Sequence, residues 1–184
     1  MQSQLVGYFP KRTAVPAGWS AADPVDEICS VSTCIATAPE GWIDRWLHNA
    51  LGLFNSVRDA ESVIDPGSHG FSVFAYKLLP IRFDEGVAQA WAHPPVVVEP
   101  LPPSFHSLGF DIVSKDLSDF FECSPLSCNN LALEVRVNRY CLVEERERAV
   151  SLAERFSLGP GAEPGYYHVL EVLRQPLPFE RAGA

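Results

Sequence analysis

The sequence predicts an α+β fold: a single compact domain with a mainly antiparallel sheet and two principal amphipathic helices, at about 39–55 and 144–157. Three observations lead there. With 184 residues, the chain has the length of one domain, and splitting it would leave two small cores. Apolar side chains make up 47 % of it, including eleven Phe, four Trp and five Tyr, a globular composition. Strand-like and helix-like stretches do not alternate regularly, which argues against a doubly wound parallel sheet.

Taken in order, Leu5 to Phe9 reads as a short strand ended by Pro10, and Pro16, Gly18 and Pro24 mark a loop. Val25 to Ala36 is rich in Val, Ile, Cys, Ser and Thr, which suits a strand because β-branched side chains pack well on a pleated surface. Thr37-Ala-Pro-Glu40 fits a capping box. Ile43, Trp46, Leu47, Ala50, Leu51 and Phe54 then recur at helical spacing, predicting the helix at 39–55. A helical turn at Arg58 to Val63 ends at Asp65-Pro66-Gly67.

Phe71 to Phe83 predicts a buried strand that must break, bulge or lie at an edge at Pro80. Residues 94–103 carry five prolines in ten positions and predict an extended segment, the one internal linker the sequence offers. Gly109 to Ser114 predicts another strand. Leu131, Leu133, Val135 and Val137 alternate with polar or small residues as a half-buried strand does, with a short helix starting near Asn130 as the alternative. Ala149, Leu152, Ala153 and Phe156 give the second helix its apolar stripe, and Tyr166 to Leu173 closes the chain as a strand. No internal repeat is expected from the residue pattern.

The formal charge is −9, from 23 acids against 14 bases. That balance disfavours nucleic acid bound through a basic patch and disfavours anionic membrane, since both need concentrated positive charge. The N-terminal residues show no charged region followed by an apolar one, and no apolar run reaches the roughly 18 residues that cross a bilayer. The expected location is therefore cytoplasmic, with the five cysteines reduced.

The densest chemistry lies between His106 and Cys141, where Cys123, Cys128 and Cys141 fall within nineteen residues. Thiolates and imidazole suit zinc, so Cys123, Cys128, Cys141 and His106 are metal candidates. One loose ligand pair is a weak zinc signature, however, and cofactors are expected to be none. Nucleophilic catalysis would use Cys123 or Cys128, with His106 or His168 as base and Asn129 or Asp111 to orient it. Buried cysteines that merely fill the interior are the bland alternative. The turn Asp65-Pro-Gly-Ser-His-Gly70 lacks nucleophile-elbow spacing, and the acidic pairs Asp84-Glu85 and Asp116/Asp119 read as solvated turns. No phosphate-cradling or zincin motif occurs.

Partner-binding candidates are Trp19 and Trp91, which lie outside the strongly periodic elements, and Pro100-x-x-Pro103, which fits an aromatic groove. The expected function is a noncatalytic protein-binding module of the adaptor, inhibitor or immunity type, with another protein as partner. The alternatives are a small thiol- or metal-dependent enzyme with its site in the 106–141 region, and a small-ligand sensor.

Overall fold

The computed structural model describes residues 3–32, 34–35, 37–81, 96–114, 123–158 and 167–175. Four strands, β1 (Gln4–Lys11), β2 (Ser72–Leu78), β3 (His106–Ser114) and β4 (Tyr167–Arg174), form one antiparallel sheet in the order β1-β2-β4-β3. Helix α1 (Val57–Ser62) packs on β1 and β2, and helix α3 (Arg146–Leu158) packs on β3 and β4. A one-turn helix, α2 (Pro125–Cys128), lies against β3. The α+β class and antiparallel sheet are as the sequence predicts. So are α1, α3 and four of the six strand runs, with β2 ending just before Pro80.

The order of strands hides a repeat that the residue pattern does not reveal. Shifting β1 by 102 positions (Gln4 to His106) and β2 by 96 (Leu78 to Arg174) converts every β1–β2 pair into a β3–β4 pair. The match includes the register break, at Leu5/Gly7 in one half and Ser107/Gly109 in the other. Tyr76 pairs with Val172, its own counterpart 96 residues on, so a pseudo-two-fold axis passes through that pair.

The correspondence extends beyond the strands. Tyr8 exchanges backbone hydrogen bonds with Phe54, and Phe110 does so with Val143. Asn49 Nδ2 donates to Val6 O while its Oδ1 accepts from Leu51 N and Leu53 N. Asn138 repeats the clamp, donating to Leu108 O and accepting from Tyr140 N and Leu142 N. The shift of 89 that carries Asn49 to Asn138 also carries Leu53, Ala60 and Ser62 onto Leu142, Ala149 and Ser151, and it aligns the starts of α1 and α3.

The Asn49 clamp explains the main departure from expectation. There is no α-helix at 39–55: a single 3₁₀ turn, Ile43–Arg45, is followed by Trp46 at φ 53° and by turns through Gly52. Asn49 takes backbone donors that a helix would have used internally, and the gain in pairing with β1 outweighs the apolar periodicity. Thr37 exchanges backbone bonds with Arg12 instead of capping a helix.

Two expected strands are also absent. Residues 27–32 are irregular, their donors taken from outside any ladder: Glu27 N and Cys29 N bond to Arg139 O and Tyr140 O, and Val31 N bonds to Asp111. At 131–137 a 3₁₀ turn, Leu131–Leu133, follows Asn130, as in the helical alternative, and Val137 N bonds to Asp23. Of the proline-rich stretch, residues 96–103 carry no regular element, and Tyr8 Oη donates to Glu99 O and Pro100 O.

Directly paired residues share a sheet face, and alternation then places Lys11, Phe74, Tyr76, Asp111 and Arg174 on one face. Segment 27–32 lies over that face. Lys11 Nζ, fully buried, donates to Cys29 O and Ser30 O above the rings of Phe74 and Tyr76. Asp111 accepts from Val31 N, Ile112 N and Ser124 Oγ at 2.7, 2.9 and 2.6 Å. Arg174 pairs with Glu27 at 2.7 Å. Burial pulls the Lys11 ammonium down to about 8 and pushes the Asp111 carboxyl up to about 6, against the hydrogen bonds and the mutual attraction that favour their charged forms.

Candidate functional site

Beside this buried polar layer, at the end of β3, two sulfurs meet. Ser114 N donates to Cys123 O, which fixes Cys123 at the strand end, and Pro125 starts the helical turn that brings Cys128 back towards it. Cys128 Sγ lies 3.3 Å from Ser32 Oγ and 3.7 Å from Ser127 Oγ, and the Cys123 thiol donates to it. Asn129 Nδ2 stands 3.7 Å from Cys123 Sγ. Ser127 Oγ is itself held by Ser30 Oγ at 2.8 Å, and Trp19 Nε1 donates to Ser127 O at 2.9 Å. Both cysteines are half-buried.

These donors stabilise charge on sulfur. The Cys123 hydrogen bond is the largest influence; with Ser32, Ser127 and the Ser124 backbone it lowers the Cys128 thiol to about 5, against a smaller opposing effect of burial. Cys29 and Cys141 behave oppositely. Burial pushes Cys29 up to about 12 and Cys141 well above its ordinary value, so both are protonated filling.

The internal repeat supplies a comparison within the molecule. Arg12 pairs with Thr37 in the first half as Ser114 pairs with Cys123 in the second, and the chain continues through Pro39 as through Pro125. The first-half turn, Thr37-Ala-Pro-Glu-Gly-Trp42, contains no cysteine. The architecture of this corner therefore does not require sulfur.

No protein family, curated protein or solved structure matches this chain. Its chemistry must be read from its own geometry.

Of the residues singled out from sequence, Cys123 and Cys128 come together and the others divide. His106 is exposed at the opposite end of β3, eight positions and so about 25 Å along the strand from Ser114, where Cys123 is bonded. It is neither a fourth metal ligand nor a base for these sulfurs. Cys141 is sealed in the core with its sulfur 3.7 Å from Leu126 O. Among the described residues no group of three or more His, Cys, Asp and Glu is placed to hold a metal ion, so the zinc quartet does not form.

His168 is buried opposite Val113, on the sheet face that carries Asp111, whereas Cys123 pairs with Ser114 and so shares the other face. Asp111 anchors the covering segment rather than orienting an imidazole, since its acceptors are taken by Val31, Ile112 and Ser124.

Trp19 is half-buried and bonded to the cysteine turn, so it is no exposed anchor. Pro100 and Pro103 are exposed. Trp91, Pro94, Pro95, Asp84, Glu85, Asp116 and Asp119 lie outside the described residues. Sequence reasoning missed Ser32 and Ser127 as partners of Cys128. Ser127 lies inside the Cys123–Cys128 turn, next to the sulfur it touches, but Ser32 lies 96 residues away and carried no signal.

Proposed function

We propose that this is a thiol-dependent protein in which Cys128 is the reactive group. What carries the reading is the convergence of Cys123, Ser32 and Ser127 on the sulfur of one half-buried cysteine. A thiolate, not a thiol, is the nucleophile, and three donors on a half-buried sulfur keep it ionised at neutral pH. Cys123 is a second thiol beside it, able to share or deliver a proton. This is the thiol version of the enzyme alternative in the sequence reading.

Alkylation by iodoacetamide tests it. At pH 6 almost all of Cys128 is ionised, against about one part in a thousand of an ordinary thiol near 9. The lower basicity costs nucleophilicity by a factor of about 60, using a Brønsted slope near 0.45, which leaves a net advantage of about tenfold. The expected labelling rate at Cys128 is flat from pH 6 to 8, while a free cysteine's rises about tenfold per unit over the same range. A Cys128 profile that climbs with pH like the free thiol would remove the proposal.

A second reading, the protein-binding module, is supported at another place. Trp46, which caps the 3₁₀ turn, is 82 % exposed, with Ile43 at 47 % inside the turn and Leu47 at 42 % just after it. An exposed Trp among aliphatic side chains is the composition of an interface anchor, and the acidic chain favours a partner with a basic rim. Trp46→Ala is expected to leave unfolding stability within about 0.5 kcal/mol while abolishing binding to a partner captured by the unaltered protein. A captured partner that binds the Trp46→Ala variant equally well would exclude this surface.

A further inference from the structure

We propose that Cys123 and Cys128 are a redox pair whose substrate is a hydroperoxide, Cys128 taking the oxygen and Cys123 resolving the product to an intramolecular disulfide. This rests on the reading of Cys128 as the reactive group and adds the substrate class and the role of its neighbour. Three features of the corner point the same way. The two sulfurs are hydrogen-bond partners within one turn, five positions apart, so a bond between them needs no distant rearrangement. Ser32 and Ser127 hydroxyls flank the reacting sulfur at 3.3 and 3.7 Å, so polar groups line the approach to it. The same corner of the first half is built with Thr37 and Trp42 and no cysteine, so packing does not account for the pair.

The chemistry balances as follows. The Cys128 thiolate attacks the terminal oxygen of the hydroperoxide; the S–O bond forms, the O–O bond breaks, and the departing alkoxide takes a proton from solvent to leave as alcohol, or as water from hydrogen peroxide. Cys128 is then a sulfenic acid. Cys123 gives up its proton and its sulfur attacks Cys128; the S–S bond forms, the S–O bond breaks, and hydroxide leaves with that proton as water. Two thiols and one hydroperoxide thus become one disulfide, one alcohol and one water. Buried Cys29 and Cys141 take no part, and a dithiol reductant resets the pair.

The test uses the intact chain with hydrogen peroxide as the probe. The expected product is a protein lighter by two hydrogens, with peptide mapping joining Cys123 to Cys128. The Cys123→Ser variant should stop at a Cys128 sulfenic acid that dimedone traps. Ser32→Ala keeps both sulfurs but should slow oxidation at pH 6 severalfold and restore dependence on pH, which a merely structural serine would not do. Oxidation confined to exposed Cys34, a disulfide between other cysteines, or a Cys128 that reacts no faster than free cysteine would each overturn the proposal. If Cys128 alkylates rapidly at pH 6 yet peroxide yields no Cys123–Cys128 bond, the reactive thiolate stands and the hydroperoxide role falls. If it does not alkylate rapidly, both fall together.

Discussion

Asp111→Ala is expected to lower the unfolding free energy by about 3–5 kcal/mol, the range seen when one member of a buried charge pair is removed. The substitution leaves Val31 N and Ser124 Oγ without their acceptor in a dry interior and strips Lys11 of a nearby carboxylate. Segment 27–32, held over the sheet through Val31, loses its anchor, and with it Ser30 and Ser32. Chemical denaturation measures the loss, and a change below about 1 kcal/mol would show that Asp111 is not structural.

The same residue sets a pH dependence of defined sign. Its folded value is raised to about 6 from 3.8, so between those values the folded state holds more protons than the unfolded state, and stability falls as pH rises through the window. The gap of about two units corresponds to about 3 kcal/mol. Lys11 acts in reverse: its folded value, lowered from 10.5 to about 8, makes stability recover as pH rises from 8 towards 10.5. The difference between the original chain and Asp111→Asn should therefore drop between pH 4 and 6 and be level from 6 to 8.

Gly7→Ala and Gly109→Ala carry the second large effect, about 2–4 kcal/mol each. At φ +149° and +137° both glycines occupy backbone space that side chains rarely enter. A Cβ on Gly7 would stand 2.5 Å from Leu53 Cβ and 2.9 Å from Phe54 O; on Gly109 it would stand 2.9 Å from Val143 O and 3.0 Å from Leu142 Cβ. In each case the obstacle is the turn held by an Asn clamp, so either strand or turn must yield. The two sites lie on opposite edges of the sheet, about 14 Å apart, and the double variant should lose the sum of the two. A tolerated alanine at either position would mean that the register break does not depend on close approach.

These glycines also show where sequence reading reaches and where it stops. The β-branched and aromatic runs disclosed the strands, because a strand between neighbours needs such side chains whatever surrounds it. The Ile43-to-Phe54 stripe misled: the turn folded against an edge strand buries Leu51 and Phe54 and leaves Ile43, Trp46 and Leu47 exposed, so the helical spacing is not used. What decides between helix and turn is Asn49 Nδ2 reaching Val6 O, a contact across 43 positions. The repeat stayed hidden for the same reason: it resides in backbone pairing and a clamp, with few shared residues. At the site, the spacing of Cys123 and Cys128 was readable, whereas Ser32 arrives from the other half by a loop whose course no local pattern records.

Since Tyr76 faces its own counterpart Val172 across the centre of the sheet, the molecule is organised like two subunits tied into one polypeptide. Tethering frees such a pair from the obligation to match. A true dimer would carry every feature twice, but here one lobe has a plain corner while the other carries sulfur, and a loop of the first lends its hydroxyl to the second. Asymmetry of that kind, built on a shared frame, lets reactivity arise at one corner without burdening its twin.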